Sequence, residues 1–243
     1  MRRKLAGASA GLALVAVGVG VAAAGARDET TPQRKPIRLE VSDLFIEVNA
    51  TDGDAGLQMN VDGEDWSRLT LRDPSGRMLT NVAGRGRLRG YGLTELSSES
   101  SEPPFSEVPF RRFKARFPEG LYRFSGTTVE GRRLVGSDRL THRIPAAPKV
   151  IAPAKDAVVD PAGVVVQWEP VTRPRGIRIV RYIVTVTEAA TERELNIELG
   201  PGANSATVPP GFLVGGRKYA VEVVARARSG NQTITEVPFR TSG

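Results

Sequence analysis

The sequence predicts an all-β protein: two β-sandwich domains in tandem behind an export signal. Three observations point there. Trp168, Tyr182 and Tyr219 each sit among alternating apolar residues, the period-two signature of a half-buried strand. Gly and Pro are frequent and aromatics few, which suits short strands and turns. A Pro/Ala joint, Pro145-Ala146-Ala147-Pro148, divides two strand-rich regions.

The chain begins with a basic head, Met1-Arg2-Arg3-Lys4. An uncharged run of Leu, Ala, Val and Gly follows from Leu5 to Val21, then the small residues Ala22-Ala23-Ala24-Gly25-Ala26. Basic, apolar and small in that order is a secretory signal peptide, and cleavage after Ala24 or Ala26 fits. The alternative is an uncleaved anchor, because the run nearly reaches the roughly 20 apolar residues a bilayer needs. Its Gly and Ala content disfavours permanent anchoring. The expected organisation is a signal peptide over 1–26, a flexible segment over 27–36, one domain over 37–145 and a second over 146–243. The expected location is periplasmic or secreted.

The 243 residues include no Cys, so neither a lipid-modified Cys nor a disulfide framework is available. Stability must come from a packed core. Losing Arg2, Arg3 and Lys4 with the signal lowers the formal charge from +7 to about +4. So mild a positive charge could favour anionic lipid heads or acidic glycans, though it also serves plain solubility.

In the first domain Ile37–Asn49 reads as a strand region in which Leu44, Ile46 and Val48 alternate. Leu57–Val61 and Trp66–Arg72 are the next two strands. Asp73-Pro74-Ser75-Gly76 is a type I turn with Pro at its second position, and Arg77–Val82 is the hairpin partner. Glu119–Phe124, Thr127–Arg132 and Leu134–Arg143 complete the set. Short strands punctuated by turns argue for an immunoglobulin-like sandwich. One helix interrupts it. Pro109 suits a first helical position, and Phe110, Phe113 and Phe117 then share a stripe. The segment is expected to cap the sandwich with its Phe residues in the core. A basic amphipathic patch for anionic lipid is the alternative, shortened by Pro118. Ser97–Pro104 is polar and turn-prone, and is expected to be an exposed loop.

In the second domain Val164, Val166 and Trp168 share a face. So do Val180, Tyr182, Val184 and Val186, and likewise Tyr219, Val221, Val223, Ala225 and Ala227. Strands are expected at 148–154, 164–168, 177–188, 193–199, 205–208, 217–228 and 232–240. Trp168-Glu169-Pro170, Tyr182-Ile183-Val184 and Leu213-Val214-Gly215-Gly216-Arg217-Lys218-Tyr219-Ala220-Val221 resemble the fibronectin type III family. Gly215 stands where Pro is usual there, and Arg217 where Thr is usual. The resemblance covers roughly the last 95 residues, a normal size for such a sandwich. It implies that Leu213 packs beneath a turn and that the Tyr219 hydroxyl ties a corner to the backbone. It implies almost nothing about function.

Candidate chemistry is sparse. Asp52, Asp54, Asp62, Glu64 and Asp65 fall in two acidic turns that could converge on a Ca²⁺, which takes six to eight oxygen ligands. Ordinary Asp-Gly turn chemistry is the competing reading. No other cofactor is expected. Arg85, Arg87 and Arg89 on a strand would form a stripe about 6.6–6.8 Å apart, able to bind an acidic polysaccharide. Pairing with Glu95, Glu99 and Glu102 is the favoured reading. Trp168, Tyr182, Leu213 and Tyr219 are structural. His142 is the only histidine and falls in an expected terminal strand; with no Cys and no second His, Ser/His and Cys/His nucleophilic sites and His-rich metal centres are nearly excluded. Asn49-Ala50-Thr51 and Asn231-Gln232-Thr233 are glycosylation sequons. The expected function is non-enzymatic binding or scaffolding at the cell envelope, with a protein or glycan partner and no nucleic acid. The alternative is a carbohydrate-active hydrolase or its accessory module, because a two-carboxylate site needs only Asp and Glu.

Overall fold

A computed structural model describes residues 35–243. The expected signal peptide over 1–26 and residues 27–34 lie outside the described residues. The first strands are β1 (Ile37–Arg38), β2 (Val41–Asn49), β3 (Asp54–Arg72), β4 (Met78–Ala83) and β5 (Leu93–Glu99). A short helix α1 (Phe110–Arg116) precedes β6 (Gly120–Thr128) and β7 (Arg133–Leu140). Then come β8 (Lys149–Ala152), β9 (Val158–Val159), β10 (Val165–Glu169) and β11 (Ile179–Glu188). The last are β12 (Glu194–Leu199), β13 (Ser205–Thr207), β14 (Lys218–Ala227) and β15 (Gln232–Thr241). The fold is an all-β sandwich architecture, as the alternation requires.

The long strand β3 organises the first half. Leu57–Val61 and Trp66–Arg72, expected as two strands, are one strand of 19 residues. Its first part pairs with β2 and β5, its second with β4 and β6. The change of partners falls at Asp62–Asp65, which is therefore strand and not a turn. Gly63 permits the crossing, since a Cβ there would stand 3.0 Å from Leu39 Cδ2. The Asp73–Gly76 turn forms as expected, with Gly76 N–H donating to Asp73 O at 2.9 Å. Thr127–Arg132 is a correction: β6 ends at Thr128, and the chain turns so that Arg132 N–H donates to Thr128 Oγ1 at 3.0 Å. Ser97–Glu99 is also strand, at the end of β5, and the loop begins only at Ser100. Trp66, Tyr122, Phe124 and Leu134 are at most 1 % exposed in this core. The α1 stripe behaves as expected: Phe113 is buried, and Phe110 and Phe117 pack on the core beside it.

In the second half β8, β10 and β13 form one sheet, and β11, β12, β14 and β15 lie opposite. Trp168 and Tyr219 are 1 % and 2 % exposed between them. The Trp168 and Tyr182 rings lie 5.3 Å apart. Val180 departs from its expected face: a register shift between Ile179 and Arg181 turns it outward. The corner implied for Tyr219 is present, because Val214 N–H donates to Tyr219 Oη at 2.9 Å and Leu213 is buried. Tyr182 does the same at Val171 N–H, 2.8 Å.

The two halves share one sheet. β2 pairs in parallel with β15 through Glu47–Asn49 and Gln232–Ile234, giving the order β1-β7-β6-β3-β2-β15-β14-β11-β12. Residues 35–243 accordingly form one unit, with a separate hydrophobic cluster in each half. Asn231 is fully buried at the joint. Its Oδ1 accepts from Ile46 N–H at 2.9 Å, while its Nδ2 donates to Thr141 O, Thr141 Oγ1 and Arg143 O. Thr233 Oγ1 donates to Pro145 O at 2.7 Å, so the Pro/Ala joint is pinned and does not act as a free hinge. Gly230 completes the contact. It has φ +84°, and a Cβ there would lie 3.0 Å from Phe45 Cβ. Phe45 in turn carries the Arg226 guanidinium 4.6 Å over its ring.

Candidate functional site

The largest concentration of unusual chemistry is a group of carboxylates beside this joint. Glu47 lies on β2, Glu99 on β5 and Glu102 in the loop after it. Their carboxylate oxygens lie within 4.8 Å of one another. Strand register brings them together. Glu47 is paired with Gly56 and Glu99 with Gln58, on opposite edges of β3. Gln58 Nε2 donates to both Glu47 Oε1 and Glu99 Oε1. Gln232 Nε2, from the other half of the chain, donates to Glu47 Oε2. Gly56 makes room for the third carboxylate, because any Cβ at that position would collide with Glu102 Oε1.

Burial, with repulsion between neighbouring carboxylates, pushes Glu102, Glu47 and Asp54 toward their neutral forms. Glu102 is raised to about 7, first by burial and then by Glu99, Asp54 and Glu47. Burial likewise raises Glu47, offset in part by its bonds from Gln232 and Gln58. Asp54 is raised by burial and by Asp52 and Glu99. The acidic character continues across the joint. Glu222 on β14 is raised by burial and by Glu236, its direct cross-strand partner. Asp54 Oδ1, Glu102 Oε1 and Gln232 Oε1 are buried without hydrogen-bond partners. Such a group can hold a proton on Glu102. Oxygen donors of this kind also suit a hard cation such as Ca²⁺.

This is not the set expected from sequence. Asp54 is at its edge and Asp52 near it. Asp62, Glu64 and Asp65 are eight or more residues further along β3, about 26 Å away at strand rise. Five acids so distributed cannot surround one ion. Glu47, Glu99 and Glu102 are separated by too much sequence for spacing to join them. The signal that could have done so is the strand assignment of Ser97–Glu99.

The arginine stripe is also corrected. Gly86–Arg89 is a single 3₁₀ turn, not a strand, so Arg85, Arg87 and Arg89 do not line one face of a sheet. No carboxylate lies within ion-pair distance of them among the described residues; the six ion pairs found there are Arg77–Asp73, Lys149–Glu169, Arg181–Glu198, Arg193–Glu188, Arg217–Glu188 and Arg226–Asp43. Glu99 and Glu102, their expected partners, belong to the acidic group instead. Arg85 and Arg89 line a concavity with Arg68, and Arg87 is outside it.

His142 has a structural job. Its ring Nε2 lies 2.8 Å from Phe117 O, and its backbone N–H donates to Glu119 Oε1. The second sequon is closed to a glycan, because Asn231 is fully buried and its amide is committed at the joint. Among the described residues no helix is long and apolar enough to cross a membrane.

The chain matches no protein-family model and no curated protein. Among solved structures it is similar to the FN1–FN3 domains of chicken CNTN1, at 10% identity and TM-score 0.35, covering 84% of this chain and 65% of that one. A two-domain fibronectin type III segment of chicken tenascin aligns at 15% identity and TM-score 0.32, covering 85% and 99%. The fn3 domain of the human collagen alpha-1(XX) chain aligns at 23% identity and TM-score 0.31, covering 40% and 83%. Likenesses this distant carry no argument about activity or partner.

Proposed function

We propose that this chain is an exported, non-enzymatic binding or scaffolding module of the cell envelope, recognising a protein or glycan partner. The observation that carries the reading is Asn231. A fully buried amide spends every hydrogen bond on joining two sandwiches, where an apolar contact would bury area without fixing register. That device holds the two halves in a constant relation, as a scaffold requires. The basic head and apolar run of residues 1–26 support export. Expression of the full chain in a bacterial host, followed by fractionation and intact mass, tests the first part. A chain starting at Gly25 or Arg27 in the periplasm or medium is expected; one starting at Met1 in the cytosol would end the export reading. Cross-linking of the exported protein on intact envelopes tests the second part. It should yield a discrete, competable adduct.

The hydrolase alternative gains one observation, the Glu102 carboxyl near pKa 7 beside other acids. A panel of polysaccharides assayed with wild type and Glu102→Gln separates the two. Turnover lost in the variant would favour hydrolysis.

A further inference from the structure

We propose that Arg68, Arg85 and Arg89 form a binding site for the phosphate of an anionic phospholipid headgroup. The inference is independent of the protein or glycan partner above. Arg68 is on β3, while Arg85 precedes and Arg89 ends the 3₁₀ turn between β4 and β5. All three line one concavity of about 330 Å³ with Ser67, Asn81, Ala83 and Gly84. No lining residue is acidic. Arg68 is already oriented, because its Nε donates to Asn81 Oδ1 at 3.1 Å and its terminal nitrogens remain free to donate.

The loop is a shaped one. Gly84 N–H donates to Ser67 O at 3.0 Å at one end. At the other, Gly92 has φ +77° and packs so closely that a Cβ would lie 2.8 Å from Val129 Cγ2. Between them Leu88 N–H donates to Arg85 O at 3.1 Å, and Gly92 N–H to Leu88 O at 2.8 Å. Two arginines are therefore held on one turn, beside a third on the sheet.

Three guanidinium groups without a carboxylate repel one another, and the arrangement is relieved by an oxyanion whose oxygens accept from more than one of them. Arginine donates in forked pairs that match phosphate oxygens. The Asn81 amide, whose Oδ1 already accepts from Arg68, has its Nδ2 as a neutral donor suited to a phosphodiester oxygen. The lipid assignment comes from the same loop, where Leu88 is 50% exposed and Tyr91 83% exposed. An apolar side chain and a tyrosine beside free arginines match the layers of a membrane surface, phosphate outside and acyl boundary beneath. A soluble phosphate or a sulfated glycan would use the arginines and leave these two side chains in water.

The test follows arginine Nε–Hε NMR signals of the full chain during titration with glycerol phosphate, dispersed short-chain phosphatidylglycerol and a heparin oligosaccharide. Saturable shifts at Arg68, Arg85 and Arg89 are expected with the first two, with the lipid about tenfold tighter. Each Arg→Ser change should weaken lipid binding about fivefold, since a basic residue at an anionic surface is worth about 1 kcal/mol. Leu88→Ser with Tyr91→Ser should bring the lipid down to the affinity of glycerol phosphate. All five side chains are exposed, so an unchanged amide spectrum verifies that each variant is folded. Equal affinity for lipid and glycerol phosphate in wild type would overturn the lipid assignment. Displacement of the lipid by a lower concentration of heparin oligosaccharide would overturn it in favour of a glycan. Absence of saturable shifts at the three arginines would overturn the site itself.

Discussion

Replacing Glu102 with Gln should make the protein more stable at alkaline pH and leave it nearly unchanged in acid. Glu102 titrates near 7 in the folded chain, above its ordinary 4.5, because it is partly buried among Glu99, Asp54 and Glu47. Between those values the native state keeps a proton that the unfolded chain has released. The stability this confers is complete below about pH 4.5 and is lost as pH rises through about 7. The whole shift would correspond to about 3.4 kcal/mol at about 1.36 kcal/mol per unit. Glu102 is partly exposed, and screening by water leaves about 1–2 kcal/mol. The amide of Gln stays neutral at every pH, so Glu102→Gln should match wild type near pH 5. Near pH 8 it should exceed wild type by about 1–2 kcal/mol, or about 2–8 °C in Tm. Urea unfolding and thermal melts at pH 5, 6.5 and 8 measure this. A gap that does not change with pH, or a variant less stable at pH 8, would refute the reasoning. Ca²⁺ separates a proton held on Glu102 from cation binding. A held proton expects millimolar CaCl₂ at pH 8 to move the wild-type Tm no further than KCl of equal ionic strength. A rise that Glu102→Gln abolishes would assign the group to a cation.

Three further outcomes are expected. Gly56→Ala should displace the Glu102 carboxylate from its position over β3, and a ¹³C NMR titration should then show the Glu102 pKa falling toward the ordinary range. Asn231→Ala should cost about 3 kcal/mol in urea unfolding and expose the Ile46 amide to hydrogen exchange, since Oδ1 is its acceptor; a loss under about 1 kcal/mol would contradict the role given to the joint. Tyr219→Phe leaves the Val214 N–H without its acceptor and should cost about 1–3 kcal/mol, with the fold retained by circular dichroism.

Much of the second half is legible in the sequence because alternation there is strict. Every second residue from Tyr219 to Ala227 is buried, and Trp168 and Tyr182 meet as their strands imply. The α1 stripe is legible for the same reason, with helical spacing and a Pro at its start. Val180 escapes the pattern because a bulge shifts the phase by one residue and leaves no mark in composition. Asp62–Asp65 resembles a turn because Asp and Gly favour turns. At Gly63 the glycine serves instead the close approach of Leu39 where the strand changes partners. The alternating Arg of the Gly84–Gly90 tract suggests a strand, yet Leu88 N–H donates to Arg85 O and Gly86–Arg89 closes into a 3₁₀ turn. The acidic group is invisible in sequence because its members are gathered by cross-strand register.

Sequence by itself determined the β class, the apolar faces of the second half, the turn chemistry and the Phe stripe, since each depends on neighbours within a few residues. Tertiary structure decided that β2 and β15 share a sheet, that Asn231 locks them, and which carboxylates and arginines stand together. The physical reason is range. Backbone preference and side-chain period act along the chain, whereas a charge responds to whatever the fold places within a few ångströms, however far away it was in the chain.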